Sequence, residues 1–406
     1  MAGQSVQALR QNLGLTPAGA ADRSRIGFMP RAARLRREES TLAQRVVFAD
    51  YAKGLALMLA VLAYAVVAME SALNRTGWMH NAVLLLEPII VPAVFFLSGL
   101  FMVRVMDAPW RTFADKRILN FLYFYLLWTV MAIVVTRFSL APAARSPLWL
   151  DMARLLAPPQ GALWFLVVLP LMSLVMRLLR GGPAAAILFV AALWEALSLR
   201  NSGAVLNGFS SGFVYFYAGY VLAVPVMTFQ RAMLQRTSFV FCVALTFAAL
   251  IGVMVFVKVP LLHSPIAPLP FASLALGVSG IAFVLCLAIG FANIKAVPDI
   301  ARMGRYGLAT FLLSLVLFEA FKVLFIKFIP NLGPGFLSLT AACIALGLAY
   351  PLQDMLRASP LHFLVRRPRA LRLREPQRRA FPPLPVGLMG APLTGGSALP
   401  NGAPAE

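Results

Sequence analysis

Charged residues are scarce in this chain: only 13% of its 406 residues are Asp, Glu, Lys or Arg, and only 15 residues are acidic. A soluble domain carries about 25% charged residues. This shortage, together with 60% hydrophobic residues and a mean hydropathy of +0.81, excludes an ordinary water-soluble fold. Apolar runs of about 20 residues, long enough to cross a bilayer, recur instead. The composition predicts an all-α, polytopic integral membrane protein.

Cysteine and histidine are also rare, with three residues of each. Cys242, Cys286 and Cys343 all fall inside apolar runs, which is typical of small core residues rather than of redox groups. Neither the cysteines nor the histidines have the spacing of a metal site. We therefore expect no metal and no bound cofactor.

The charge that is present is mostly of one sign, with 36 Lys and Arg and a net charge of +21. Most of these residues lie in the tails and in short loops beside apolar runs, so we expect no folded basic groove and no nucleic-acid partner. The distribution is typical of charges that set membrane topology and contact lipid headgroups. With the N-terminus inside, 28 basic residues lie on the inner side and seven on the outer side. This predicts a multi-pass protein of the cytoplasmic (inner) membrane with both termini cytoplasmic.

Three regions are predicted along the chain. Residues 1–44 form a basic cytoplasmic arm, either disordered or containing a short basic amphipathic helix, without the continuous apolar core of a signal peptide. Residues 45–357 form the transmembrane domain, and residues 358–406 form a cytoplasmic tail that begins basic and ends rich in Pro and Gly. About ten spans are predicted, at 52–70, 82–103, 118–136, 161–177, 183–199, 209–228, 238–257, 268–291, 307–326 and 335–356.

Ionisable side chains within apolar runs are costly, which makes them candidates for function. At the start of the first run, Asp50, Lys53 and Tyr64 share one helix face, because separations of 3 and 11 residues approximate whole turns. One interpretation is a polar stripe that lines a cavity open to the inner face. The other is an interfacial ion pair with a structural tyrosine buried above it.

Two further groups of candidates lie farther along the chain. Glu319 and Lys322 lie three residues apart in the ninth run. They are either a structural ion pair or part of a functional site. Ser314 is a further candidate on the same predicted helix. In the second run, Ser98 precedes Gly99, and small residues there allow close helix packing.

The inner loop after the second run carries a basic cluster. Its arginines are suited to bidentate binding of phosphate, although such residues are also ordinary topogenic charge. The cluster consists of Arg104, Arg111, Lys116 and Arg117.

Taken in order, these motifs resemble the acyltransferase type 3 family of integral-membrane O-acyltransferases. The resemblance begins with Asp50, Lys53 and Gly54 and covers roughly residues 48–350. The later motifs are "FFLSG" at 95–99, "DKRILN" at 115–120, "LWFL" at 163–166 and "FVYFYAGY" at 213–220.

The resemblance implies an activity and a set of partners. Members of the family transfer acetyl, succinyl or similar groups from a cytoplasmic donor, usually acyl-CoA, to a hydroxyl of an envelope or secreted glycan. Expected partners are therefore acyl-CoA as co-substrate, a glycan or polysaccharide acceptor and membrane lipid. By the resemblance, Lys53 takes the place of the family's frequent arginine, and the Arg104–Arg117 cluster would meet the phosphates of the donor.

This chain departs from the family at the positions of its two usual histidines. Tyr64 stands at the first position and Ser314 at the second, and Asn120 replaces a common arginine. A phenol is a much weaker base than imidazole at neutral pH. Two hypotheses follow. In one, the protein is an acyltransferase in which Tyr64, Asp50 or Glu319 supplies the base. In the other, it is a non-catalytic acyltransferase-like membrane protein that serves transport or polysaccharide-assembly partners.

Overall fold

The computed structural model is a bundle of apolar helices. It describes residues 31–139, 147, 161–197, 204–233, 235–259, 264–265, 271–329 and 331–373, with the backbone alone over 31–46. Its α-helices are α1 Arg31–Leu73, α2 His80–Leu100, α3 Val103–Met106, α4 Trp110–Phe113, α5 Asn120–Ser139, α6 Phe165–Leu178, α7 Ala184–Ala196, α8 Ala204–Val221, α9 Ala223–Ala232, α10 Thr237–Phe256, α11 Ala272–Ile294, α12 Pro298–Arg305, α13 Gly307–Phe328 and α14 Pro334–Ala358. A two-residue antiparallel pairing joins β1 Lys258–Val259 to β2 Ser264–Pro265.

Eight stretches of the described chain are long and apolar enough to cross a membrane. They are 47–73, 80–100, 110–134, 162–181, 237–256, 272–294, 307–328 and 334–358. Helices α8 and α9 add a ninth candidate that bends by 63° at its break, and α7 is a shorter apolar helix. Each of the ten predicted spans therefore corresponds to a helix or a helix pair, and the predicted all-α polytopic class is confirmed.

Both predicted tails are described in part. Helix α1 begins at Arg31, so residues 31–44 of the predicted arm are helical and continue into the first span, while residues 1–30 lie outside the described residues. After α14, two 3₁₀ turns follow at Pro360–Leu364 and Arg369–Leu371. Residues 374–406 lie outside the described residues.

Helices α2 and α8 approach each other closely through two glycines. A Cβ atom on Gly99 would collide with the carbonyl oxygen of Phe216, and one on Gly219 would collide with that of Phe96. Glycine permits this contact because it has no Cβ, which is a common way for helices to pack in membranes. The "FFLSG" and "FVYFYAGY" motifs are therefore in direct contact, and they determine the distance between these two helices.

The outer surface of the bundle is apolar. Large hydrophobic side chains such as Leu245 on α10 and Phe189 on α7 are about 70% exposed. The buried interior contains Phe95, Met172 and Phe216, from α2, α6 and α8. Exposed apolar side chains on helices suit contact with lipid, since a helix satisfies its own backbone hydrogen bonds.

Candidate active-site cavity

A cavity of about 1000 Å³ lies among α1, α2, α5, α13 and the chain that follows α14. Its wall is mainly apolar and aromatic. Among the described residues that line it, seven are basic, and Glu87 is the acidic one. The basic residues are Lys53, Arg117, Arg305, Arg357, Arg366, Arg367 and Arg372. We call the part of the cavity around them its basic end.

Two of the predicted cations converge on the end of α2. The ammonium nitrogen of Lys53 lies 3.8 Å from the centroid of the Phe101 ring, and Arg117 donates from Nη2 to the Phe101 carbonyl at 3.2 Å. Phe101 directly follows the last residue of α2, where backbone carbonyls lack partners within the helix. Arg117 satisfies one of these carbonyls, so it lies beside Lys53 at the cavity wall.

Arg117 belongs to a π-helical turn, Ala114–Leu119, between α4 and α5. Such turns are rare and frequently occur at functional sites, because the extra residue redirects side chains. The carboxylate of Asp115, in the same turn, accepts a hydrogen bond from Arg367. The turn therefore connects the "DKRILN" motif to the chain that follows α14.

Asp50 lies behind the cavity wall rather than in it. Its side chain is buried and pairs with Arg305, whose Nε is 3.4 Å from Oδ2. Helices α1 and α12 are in backbone contact here, because a Cβ on Gly54 would collide with the carbonyl of Ile300, and one on Gly304 with that of Asp50. Asp50 thus holds Arg305 at the basic end of the cavity.

The wall opposite the basic end carries a hydrogen-bonded network of three side chains. Tyr64 lines the cavity, and its hydroxyl donates to Oε1 of Glu319 at 2.9 Å. The other oxygen of Glu319 lies 2.6 Å from the ammonium of Lys322. The three candidates from the first and ninth predicted spans are therefore in one place. Tyr64 connects the cavity to a carboxylate that Lys322 neutralises.

The other predicted site residues are distributed differently. Ser98 lines the cavity and donates to the Val94 carbonyl at 2.7 Å. Ser314 is fully buried outside the lining, where it donates to the Phe311 carbonyl at 2.7 Å. A hydroxyl bonded in this way inside its own helix is typical of a structural serine.

Of the predicted basic cluster, only Arg117 is among the described lining residues. Arg111 and Lys116 are exposed outside that lining. The side chain of Arg104 lies outside the described residues.

Sequence reasoning missed six charged residues of the lining. They are Glu87, Arg305, Arg357, Arg366, Arg367 and Arg372. Five of these belong to arginine-rich segments near helix ends, where positive charge is expected for topology alone. Glu87 had a usable signal, because a carboxylate inside an apolar run is a candidate for function by default.

No histidine is among the described residues that line the cavity. His80 is the first residue of α2, and its Nδ1 lies 2.9 Å from Oε2 of Glu70 on α1.

The fold and the cavity define a multi-pass membrane protein with basic and carboxylate–phenol groups joined by one internal space. A family model described as an acyltransferase domain, that of the acyltransferase 3 family, matches residues 46–353, about three quarters of the chain. The chain belongs to this family, and its general class is that of a membrane acyltransferase. No curated protein and no solved structure matches it.

Proposed function

We propose that this protein transfers an acyl group from cytoplasmic acyl-CoA to a hydroxyl of an envelope or secreted glycan. It would act in the inner membrane with both termini cytoplasmic. One observation carries the proposal: a single cavity is lined by seven basic residues and by Tyr64, whose hydroxyl donates to the carboxylate of Glu319. An anionic donor and a proton-transfer group are the two requirements of this reaction.

The basic end of the cavity is suited to the phosphates of the donor. Lys53 and Arg117 converge there. A guanidinium group can donate two parallel hydrogen bonds to the oxygens of one phosphate. Tyr64 is eleven residues beyond Lys53 on α1, which corresponds to about 16 Å along the helix. A donor that carries its thioester on a long flexible arm, remote from its phosphates, would span this distance.

Tyr64 and Glu319 would move the proton in the acyl-transfer step. As the acceptor oxygen bonds to the thioester carbon, its proton passes to Tyr64 Oη, and the phenolic proton passes to Glu319 Oε1. The carbon–sulfur bond then breaks, and the CoA thiolate takes up the proton by the reverse path. Neither residue changes its net protonation over the cycle. The 2.9 Å hydrogen bond between them supports this path, because a relay needs a donor already aligned with its acceptor.

The acceptor hydroxyl would approach from the side opposite the basic end. Val67 and Val83 line the cavity there, with Glu87 one further turn along α2. Apolar walls with a single carboxylate suit a sugar, whose faces pack on aliphatic groups while its hydroxyls donate hydrogen bonds. Glu87 is therefore the proposed acceptor for a sugar hydroxyl.

Mass spectrometry of envelope and secreted glycans from a deletion strain tests this function. Complementing plasmids would carry wild type, Tyr64→Phe or Tyr350→Phe. Tyr350 is a matched control, since it lies on α14 outside the described cavity lining. We expect an acyl mass that disappears on deletion and is restored by wild type and Tyr350→Phe but not by Tyr64→Phe.

Two other outcomes would change the proposal. Restoration by Tyr64→Phe would retain the acyltransferase and remove Tyr64 from the proton path. An unchanged acyl profile in the deletion strain, with the protein expressed in its parent, would favour a non-catalytic role with transport or polysaccharide-assembly partners.

A further inference from the structure

The basic end of the cavity has more positive charge than nearby carboxylates neutralise. Three of its arginines have an acidic partner: Arg305 pairs with Asp50, Arg357 with Asp354 and Arg367 with Asp115. Within the described part of the chain, Arg117, Arg366 and Arg372 have no carboxylate at salt-bridge distance. Converging unneutralised cations repel one another, so such a cluster favours a bound anion.

Two of these three arginines come from the chain after the last span. We call residues 357–372 the C-terminal segment. It begins in the last turn of α14, continues through the 3₁₀ turn Pro360–Leu364, and lines the cavity through Arg357, Val365, Arg366, Arg367 and Arg372. A segment that sequence alone assigned largely to a cytoplasmic tail therefore forms part of the cavity wall.

The C-terminal segment is held in place by contacts with α5 and the π-helical turn. The Tyr123 hydroxyl donates to the Phe363 carbonyl at 2.8 Å. Val365 is buried in the same apolar cluster as Phe124 and Trp128. These contacts anchor the first half of the segment against α5.

Arg367 is the central anchor of the segment, with only 4% of its surface exposed. Its guanidinium donates to the carboxylate of Asp115, to the Asp115 carbonyl at 2.9 Å and to the Leu371 carbonyl at 2.6 Å. Arg367 thus links the C-terminal segment to the π-helical turn that carries Arg117. Arg366, its neighbour, and Arg372, which donates to the Arg367 carbonyl, are exposed at the cavity lining.

We propose that the C-terminal segment completes the phosphate-binding site of the donor. Arg366 and Arg372 contact phosphate oxygens together with Arg117, and Arg367 is a positioning residue that acts through Asp115. The ligand is a nucleotide with more than one phosphate group, since the basic side chains come from several helices and face one space. This inference rests on the proposed function, because it assigns the binding site of the same donor.

Anionic lipid headgroups present the same phosphate chemistry, so the test separates the two sources. Full-length protein is placed in nanodiscs of phosphatidylcholine or of phosphatidylglycerol, and the Kd values of CoA, 3′-dephospho-CoA and pantetheine are measured. The variant Arg366→Gln/Arg372→Gln is compared with wild type. Arg302→Gln is the matched control, because Arg302 is an exposed arginine of α12 outside the described lining.

In phosphatidylcholine we expect the double variant to raise the Kd of CoA by about tenfold for each arginine that binds a phosphate, since a hydrogen bond to a charged group is worth about that factor. The Kd of pantetheine, which has no phosphate, should stay unchanged, and Arg302→Gln should resemble wild type. 3′-Dephospho-CoA should lose less affinity than CoA if one arginine contacts the 3′-phosphate.

The role of Arg367 is tested by a double-mutant cycle with Asp115. Arg367→Gln, Asp115→Asn and the combination should each raise the Kd of CoA by a similar factor, because all three break the same ion pair. Additive effects would overturn the positioning role. A merely structural defect would weaken pantetheine binding as well, so an unchanged pantetheine Kd supports positioning of the phosphate site.

Two results would overturn the inference as a whole. A CoA affinity that is unchanged in Arg366→Gln/Arg372→Gln, or changed only in phosphatidylglycerol, would assign these arginines to lipid, and the proposed function would stand. Wild-type protein that neither binds CoA nor releases it from acyl-CoA would overturn both proposals together.

Discussion

The basic end of the cavity and the wall around Tyr64 are built in opposite ways. At the wall, the polar groups satisfy one another: Tyr64 donates to Glu319, and Lys322 neutralises the same carboxylate. At the basic end, seven described cations line one space, and three of them, Arg117, Arg366 and Arg372, have no carboxylate at salt-bridge distance among the described residues. The wall therefore needs no ligand charge to be stable, whereas the basic end gains stability from an anion. Under the proposed function, the basic end governs donor binding and the wall governs chemistry, so substitutions should separate KM from kcat.

The largest expected effect is that of Glu319→Gln, which removes the final proton acceptor. We expect kcat for acyl-CoA-dependent CoA release to fall by about 10³- to 10⁴-fold, with the donor Kd unchanged, as general acid–base groups contribute on this scale. The purified protein in nanodiscs, with a thiol-reactive reporter of free CoA, gives this rate.

The folding control for that variant is Glu319→Gln/Lys322→Met. Glu319→Gln leaves the Lys322 ammonium uncompensated inside a span, which costs stability by itself. The double variant should regain thermal stability and stay inactive. Recovery of activity in it would contradict the assignment of Glu319.

Tyr64→Phe should have the second largest effect, with kcat lowered by about 10²-fold and donor KM unchanged. The ring keeps its contact with Phe318, and a single hydrogen bond is removed, so the free energy of unfolding should fall by only about 1 kcal/mol. Tyr350→Phe is the control in the same assay. Wild-type kcat in Tyr64→Phe would mean that the acceptor proton reaches Glu319 without the phenol.

Lys53→Gln should produce the opposite pattern, because Lys53 contributes charge at the basic end. We expect the donor KM to rise by about tenfold and kcat to stay within about twofold, the signature of weakened uniform binding. Lys295→Gln is the control, since Lys295 is an exposed lysine outside the described lining. A fall in kcat with an unchanged KM would contradict the assignment of donor binding to the basic end and of chemistry to the wall around Tyr64.

Raising the ionic strength should have the smallest effect on the kinetic constants. It compares the two regions without any substitution. Salt screens exposed charges, with a Debye length of about 10 Å at 0.1 M and about 3 Å at 1 M. The donor KM should therefore rise several-fold over this range, and kcat should change little, because Glu319 and Lys322 are in contact and largely shielded. Equal salt dependence of both constants, measured in phosphatidylcholine nanodiscs, would contradict the proposed separation.

Much of the fold was predictable because membrane insertion depends on local apolar character. Each of the ten predicted spans corresponds to a helix or a helix pair among the described residues, including the short helix α7. The small residues of "FFLSG" predicted close helix packing at Gly99, and the structure confirms it. The partner in that contact was not predictable: Gly99 and Gly219 bring the helices of "FFLSG" and "FVYFYAGY" into backbone contact. A sequence motif does not distinguish a packing contact from a catalytic one, since both constrain residue type.

The candidate site was predictable only in part. Tyr64 and Glu319 were each identifiable as polar groups inside apolar runs, but they are 255 residues apart, and only the fold shows that they are hydrogen-bonded. Arg366 and Arg372 could not be singled out, because they lie among other arginines that membrane topology alone explains. The predicted partner of Asp50 was Lys53. In the structure, Asp50 forms an ion pair with Arg305, and the ammonium of Lys53 lies over the Phe101 ring.

By itself the sequence determined that this is a polytopic membrane protein of the acyltransferase 3 family and where its apolar helices lie, because hydropathy sums over neighbouring residues. The tertiary structure alone decided which cations face the cavity and which carboxylate receives the Tyr64 hydrogen bond. Those contacts join α1 to α13, and the π-helical turn to the C-terminal segment. Their geometry depends on how helices distant in the chain pack, which no local pattern of residues records.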